Sequence, residues 1–345
     1  MRLLIAGGAT GGHLSPALAV AQAFRAEHPD GELLMVGRRG GLEETLVPRE
    51  GVPLETIEVR GFDRDFPWKN AVLPVVLPRA FAHGSRIVGR FRPDVVLGVG
   101  GYVMAPALIG ARLHGIPYVL AVFEASGLAN RLFRPGAAAA CVTFPHDVER
   151  FRTPRTEFTG FPLRPGFDRH EPRIPARRLL ITGASTGARR INEAVWGALP
   201  QLLDRFEEVV HLTGAQGEAR SEEFLRNGYR PIAFTHRMSD LLGEADLVIC
   251  RCGVGTISEV TAVGLPMICV PGTFGGGHQN RLSEELEAAG AALRIPDPEL
   301  TPDRLVEAVD GLDADRLRRM TAASAAMGRP GAAEAVLRVL EEVAA

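Results

Sequence analysis

Arg2-Leu-Leu-Ile-Ala-Gly7 is the first apolar run of the chain, and Arg178-Leu-Leu-Ile-Thr-Gly183 repeats it. The loops that follow also match, Gly7-Gly-Ala-Thr-Gly-Gly12 against Gly183-Ala-Ser-Thr-Gly-Ala188. The offset of 176 residues is about half of the 345-residue chain. Each copy reads as a short buried strand, a tight loop of small residues and a helical pattern. That is the β–loop–α unit that opens a Rossmann-like domain, and its presence twice predicts two such domains.

Working outward, Ser15 is a candidate N-cap with Pro16 at the first helical position, and Ala17, Leu18, Val20, Ala21 and Phe24 recur at helical spacing. Further buried strands are expected at Leu33–Val36, Asp94–Leu97 and Tyr118–Val122. In the second half they are expected at Arg178–Thr182, Glu208–Leu212, Asp246–Cys250 and Met267–Val270. Continuous apolar strands alternating with helices imply parallel sheets covered on both faces. The stretch Gly160–Pro175 holds four prolines and reads as a stiff linker. The expected division is an N-terminal domain over 1–161 and a C-terminal domain over 162–329. A final helix within 330–345 is expected to pack back on the first.

Composition narrows the classes. Hydrophobic residues make up 46% and charged residues 23%, an ordinary globular mix. No apolar run approaches the ~20 residues that span a bilayer, and the N-terminus reads as a strand rather than a signal peptide. Cys141, Cys250, Cys252 and Cys269 lack zinc-site spacing and read as buried thiols of a reducing compartment. The net charge of −2 conceals a split: 19 basic against 15 acidic side chains in 1–165, and 20 against 26 in 166–345. Nothing in that balance calls for nucleic acid.

Four glycine-rich loops, at 7–13, 98–101, 183–187 and 251–255, follow strands. Glycine lets backbone approach a ligand and a helix N-terminus favours anions, so a diphosphate-containing ligand in an interdomain cleft is expected. A nicotinamide cofactor is disfavoured. The first loop is not Gly-x-Gly-x-x-Gly, and Val36-Gly-Arg-Arg39 offers no acid for a ribose. His13 stands at a helix start, whose positive end disfavours a second proton on the ring. It is the candidate general base, with loop bracing as the structural alternative. Thr256-Ile-Ser-Glu259 reads as a capping box or as a ribose-binding carboxylate. Gly277-His-Gln-Asn280 suits sugar hydroxyls or a solvated loop. Asp63-Arg-Asp65 reads as an ordinary loop, and no metal constellation is visible. Residues 60–92 interleave seven basic side chains, against two acidic ones, with Phe62, Phe66, Trp68, Val72–Leu77, Phe81 and Phe91. That mixture suits an anionic membrane surface or a core helix with a basic outer face.

These residues together resemble the MurG family of bacterial UDP-N-acetylglucosamine transferases. They include Gly7–Val20, Gly98-Val-Gly-Gly-Tyr102 with Pro106, and Gly160 with Pro162-Leu-Arg164. Ser185, Gly187, Asn192, His211–Gly214, Arg251-Cys-Gly253, Thr256–Glu259, His278-Gln279 and Gly290–Ala292 complete the set. The resemblance implies an α/β GT-B fold, two Rossmann-like parallel-sheet domains facing across a cleft. It implies an inverting transfer of N-acetylglucosamine from UDP-N-acetylglucosamine to the 4-hydroxyl of undecaprenyl-diphosphate-linked muramoyl-pentapeptide, in peptidoglycan synthesis. No cofactor and no essential bound metal are implied, and the protein would be peripheral to the cytoplasmic face of the membrane beside other cell-wall synthesis proteins.

By the same resemblance, Arg164, Ser185 and the helix start at Gly187 would face the donor diphosphate and Glu259 would hold the ribose, with Asn192 and Thr256 also among the donor-binding residues. Phe234, Thr235 and Met238 would frame the uracil, and His278 and Gln279 would meet the sugar. His13 would be the base. Thr10, Gly11, Gly12, Gly100, Gly101, Tyr102, Glu124 and Asn130 would hold the acceptor. Phe66, Trp68, Leu73, Val76, Leu77 and Arg79 would lie on the membrane. The chain departs from the family pattern at Phe123-Glu124-Ala125-Ser126, where His-Glu-Gln-Asn is usual, and at Gly160-Phe-Pro162, where Gly-Asn-Pro is usual. The alternatives are a related transferase with another acceptor, a sugar-nucleotide epimerase, or a non-catalytic binding protein.

Overall fold

The structure is a computed structural model, described here except for residues 9–10, 62–65, 124–126, 185 and 274–276 and the side chains at 11, 67 and 69. The chain divides into two compact units, Met1–Arg164 with Gly331–Ala345, and Pro165–Pro330. The first carries seven strands: β1 Arg2–Ala6, β2 Glu32–Arg38, β3 Leu54–Ile57, β4 Val95–Gly98, β5 Tyr118–Val122, β6 Ala139–Val142 and β7 Thr156–Phe158. The second carries β8 Arg178–Thr182, β9 Glu208–Leu212, β10 Tyr229–Ile232, β11 Leu247–Cys250, β12 Met267–Cys269 and β13 Ala292–Arg294. Every strand pair is parallel. The orders are β3-β2-β1-β4-β5-β6-β7 and β10-β9-β8-β11-β12-β13.

The echoed strands occupy equivalent places. β1 lies between β2 and β4, and β8 between β9 and β11. Leu3 to Ala6 are fully buried, as are Leu179 and Ile181, because helices cover both faces of each sheet. At each of these centres the strand order reverses, and in such sheets ligands bind beyond the carboxyl ends of the strands at the reversal. The four glycine loops follow β1, β4, β8 and β11, so all of them stand at the two reversal points.

Five strands escape the sequence reading: β3, β6, β7, β10 and β13. Four of them are sheet edges. Edges need no continuous apolar run: Leu54-Glu-Thr-Ile57 is half polar, and Tyr229-Arg-Pro-Ile232 contains a proline, which only an edge tolerates. The first helix also starts earlier than expected. It spans Gly11–Glu27, so Ser15 is not its N-cap and Pro16 lies inside it. A proline there removes only the amide that the Gly12 carbonyl would accept from, close to the helix end. The capping-box reading of Thr256–Glu259 is corrected likewise. The helix Val254–Val263 begins two residues before Thr256, with Gly253 as N-cap and no side-chain cap bond.

The C-terminal helix Ala332–Ala344 is part of the first unit, against Gly11–Glu27 and strands β4 to β6. His28 Nε2 lies 2.7 Å from Glu341 Oε1, and Arg155 pairs with Glu342. In the second unit the buried Asp246 gathers the chain entering β8. Its carboxylate accepts the backbone amides of Arg173, Arg177 and Arg178 at 2.8, 3.0 and 2.8 Å. Although burial opposes it, these bonds hold the Asp246 carboxyl below its usual range.

A second buried chain of bonds predicts a pH response. Trp196 Nε1 donates to Tyr229 Oη at 3.0 Å, and that hydroxyl lies 2.9 Å from His211 Nδ1. His211 Nε2 is 3.1 Å from Asn192 Oδ1, and Asn192 Nδ2 donates to the Thr213 carbonyl at 2.8 Å. The directions close only with a neutral His211 that carries its proton on Nε2. Burial pushes its pKa down from 6.5 to about 3. The unfolded chain therefore binds a proton that the folded one refuses, and stability falls as pH drops from about 6.5 toward 3. The slope is about 1.4 kcal/mol per pH unit. Thermal unfolding of the second unit, followed from pH 7 to pH 4, is expected to move to lower temperature. A transition insensitive to pH over that range would refute the assignment.

Candidate active site

In the first unit, two glycine loops meet backbone to backbone beyond β1 and β4. A methyl group on Gly7 would lie 2.3 Å from Val99 Cγ2 and 3.1 Å from the Gly100 oxygen, and one on Gly101 would lie 3.3 Å from the Gly8 oxygen. Gly100 and Gly101 have φ of +90° and +73°, a region that favours glycine. His13 lies in the first turn of Gly11–Glu27 rather than before it, with Gly12 exposed beside it. Its half-buried ring sits over Gly100, where a methyl group would fall 2.9 Å from Nε2. On another side the Phe123 ring stands 6.1 Å away, and Phe161 packs on Phe123 at 4.9 Å. The two departures from the family pattern are therefore one paired change, an apolar wall beside the candidate base.

Tyr102 caps this loop pair, and its hydroxyl accepts a bond from Arg38 Nη1 at 3.3 Å. Asn130 is buried on the helix Leu128–Phe133. Thr10 and Glu124 lie outside the described residues, as does the Asp63-Arg-Asp65 motif.

In the second unit, the loop after β8 and the loop after β9 interlock. A methyl group on Gly187 would lie 2.2 Å from the Thr213 oxygen, and one on Gly214 would lie 2.4 Å from the Thr186 oxygen. Ala184 and Gly187 have φ of +63° and +75°, and the Ala184 amide bonds Thr182 Oγ1 at 3.1 Å. The turn delivers the chain into the 17-residue helix Arg189–Arg205, whose N-terminal end attracts anions. Ser185 lies outside the described residues. Asn192, expected at the donor, is instead 4% exposed, and its amide is engaged by Thr213 and His211 beneath the loop.

The loop after β11 is held from below. Arg251 pairs with Asp297 and donates to the Val270 carbonyl at 3.2 Å, while Arg190 reaches the same carboxylate at 3.2 Å. Thr256 and Glu259 are half-buried on the helix that follows. Gln279 is 5% exposed and its amide oxygen accepts the Gly272 amide at 2.8 Å, which closes the loop after β12. His278 begins the helix His278–Ala288 behind Gly277, whose φ is +79°. Phe234 stands out from the loop after β10 with half its surface exposed, next to Thr235, and Met238 begins the next helix. Arg164 is half-buried and ends the first unit's longer segment, Met1–Arg164.

Two domain descriptions match the chain. Residues 3–140 match the glycosyltransferase family 28 N-terminal domain, and residues 178–336 match the glycosyltransferase family 28 C-terminal domain. The UDP-N-acetylglucosamine--N-acetylmuramyl-(pentapeptide) pyrophosphoryl-undecaprenol N-acetylglucosamine transferase of Desulforudis audaxviator is 39% identical, over 100% of this chain and 99% of its own. Its namesake from Syntrophotalea carbinolica is 38% identical over 99% of both chains. The crystal structure of Acinetobacter baumannii MurG superposes with a TM-score of 0.78 at 25% identity, over 99% of each chain. The chain belongs to the MurG family. The kitacinnamycin glycotransferase, at 19% identity and a TM-score of 0.69, shares the fold.

Membership in the MurG family directs attention to the basic, aromatic segment. Pro67–Val72 forms a short 3-10 turn and Leu73–Phe91 a helix. Its inner face, Ala80, Gly84, Ile87 and Val88, is buried against the helix Ala105–Leu113. Its outer start is apolar and exposed: Trp68 is 72% exposed and Phe66 50%, with Val72 and Val75 beside them. Arg79 is exposed, whereas Leu73 and Val76 are half-buried and Leu77 packs against the core. Val72 and Val75 thus join the surface in place of Leu77, because helical phase turns 77 inward with 80, 84 and 88. No helix among the described residues is long and apolar enough to cross a membrane.

Proposed function

We propose that this protein transfers N-acetylglucosamine from UDP-N-acetylglucosamine to the 4-hydroxyl of the muramoyl sugar on undecaprenyl diphosphate, with inversion at C1. The observation that carries the reading is the end-to-end relationship to the transferases of that name, with four glycine loops at two strand-order reversals. The acceptor's hydroxyl gives its proton to the neutral His13 imidazole as its oxygen bonds to C1. The bond from C1 to the diphosphate oxygen breaks, and UDP leaves with the electron pair. The N-terminus of Arg189–Arg205, the amides of the Gly183–Gly187 turn and Arg164 stabilise the charge that develops there. Within the second unit, the loop that leads into this helix is fixed before reaction by the Gly187–Gly214 interlock.

Glu259 holds the ribose hydroxyls, Thr256 lies one turn before it, and Phe234, Thr235 and Met238 frame the uracil. His278 orients the sugar hydroxyls, and Gln279 does so through the loop it closes. Gly11, Gly12, Gly100, Gly101 and Tyr102, with Asn130, take the acceptor's diphosphate and sugar. Phe66, Trp68, Val72 and Val75, flanked by Arg79, rest on the anionic cytoplasmic leaflet where a lipid acceptor is found. The alternative is a related lipid acceptor in place of the muramoyl-pentapeptide, and the full-length relatives named for the muramyl-(pentapeptide) acceptor favour the first reading.

Incubation with radiolabelled UDP-N-acetylglucosamine decides between them. Label is expected in the lipid fraction when lipid-linked muramoyl-pentapeptide is supplied. Label appearing only with another lipid would establish the second reading, and none with any lipid would remove both.

A further inference from the structure

The second unit holds one acid between two arginines. Asp297 lies shortly after β13, and its side chain is 11% exposed. Arg251 Nη1 donates to its Oδ1, and Arg190 Nε lies 3.2 Å from its Oδ2. Each carboxylate oxygen therefore serves a different arginine. Arg190 Nη1 also donates to the Asp297 main-chain oxygen at 3.4 Å, and Arg251 Nη1 to the Val270 oxygen at 3.2 Å.

The two arginines stand at the starts of the two helices assigned to the donor. Arg190 is the second residue of Arg189–Arg205, the helix that follows Gly187 and Ala188. Arg251 follows β11, and its amide donates to the Thr182 oxygen, at the end of β8, at 3.3 Å. Two residues later Gly253 caps Val254–Val263, the helix of Thr256 and Glu259. Asp297 belongs to neither helix and joins both through their arginines. Packing alone does not call for this cluster. Apolar residues of similar size are buried at lower cost than paired charges, so an acid shared by two arginines argues for register rather than for stability.

We propose that Asp297 is a positioning residue for the donor. It holds the helix start that meets the diphosphate and the helix that meets the ribose in one register, so that a nucleoside diphosphate reaches both at once. The proposal deepens the donor reading and rests on it. Charge alone predicts the opposite sign. Asp297 carries negative charge near the helix end that attracts anions, so if its field were its only effect, removing that charge would tighten diphosphate binding. As a tie, its loss loosens that binding. The amide of an asparagine keeps one acceptor oxygen and turns a donor toward the second arginine.

The test uses the full chain as wild type, Asp297→Asn, Arg190→Gln and the double variant, each titrated with UDP and with uridine. The Arg190 side chain is half exposed, so its replacement leaves the interior packing in place. Both single variants are expected to bind UDP about 10-fold more weakly, within the range of couplings in one ion-pair network, with uridine affinity unchanged. Uridine has no diphosphate and meets only one of the two helices. The double variant is expected to bind UDP no more weakly than the weaker single one, because each substitution opens the same tie. Unchanged or tighter UDP binding by Asp297→Asn would overturn the proposal. So would additive losses in the double variant, or UDP and uridine affinities falling together with Tm, the mark of general destabilisation. A wild type that binds no UDP would remove the donor reading itself, and the proposal with it.

Discussion

Replacing His13 by alanine is expected to lower the turnover number by about 10²–10⁴-fold, the range contributed by a positioned general base. The Kd for UDP is expected to stay at the wild-type value. The separation follows from where the residue lies. His13 is in the first turn of Gly11–Glu27, in the first unit, while the residues assigned to the nucleotide, apart from Arg164, are in the second. Its ring is fixed by Gly100 on one side and Phe123 on another, so its orientation is set before any substrate arrives. Steady-state kinetics and calorimetric titration with UDP check both halves. Unchanged turnover would leave His13 as a loop brace, and weakened UDP binding would mean that the substitution disturbs more than the base.

Glu259→Ala is expected to have the opposite signature, with UDP bound about 10–100-fold more weakly. That corresponds to about 1.5–3 kcal/mol, the worth of hydrogen bonds to a charged group. The structure sharpens this test, because the competing role has gone. The helix Val254–Val263 is capped by Gly253 without a side-chain bond, so Glu259 is not the end of a capping box. Removing it costs the helix no cap. Titration with UDP and a thermal melt separate the outcomes: lost affinity at unchanged Tm supports ribose binding, and wild-type affinity removes Glu259 from the donor site.

Much of the architecture was legible because the central strands are buried on both faces. Leu3–Ala6 and Leu179–Thr182 have no solvent-facing side to vary, so their echo survives as sequence. β3, β10 and β13 lie at edges, where polar residues and a proline are tolerated, and their patterns are correspondingly mixed. The first helix was misread at its start because Ser15-Pro16 is a good cap signal on its own. Gly11 and Gly12 nevertheless let the helix continue one turn toward the loop. At the site, glycine loops announced themselves by composition, whereas the groups that hold them did not. Asn192, His211 and Asp297 act through partners distant in sequence, and only the fold brings them together. The Phe123–Phe161 pair is the clearest case, since each departure looked isolated until the two rings were found in contact.

The central claim is a transfer with inversion to one hydroxyl of a lipid-linked sugar. The most direct measurement is NMR of the disaccharide released from the lipid product, after incubation of the full chain with UDP-N-acetylglucosamine and lipid-linked muramoyl-pentapeptide. The account predicts N-acetylglucosamine joined through a β bond from C1 to the 4-oxygen of the muramoyl residue, with one UDP released for each bond formed. An α bond, a bond to another hydroxyl, or UDP released without any disaccharide would contradict it.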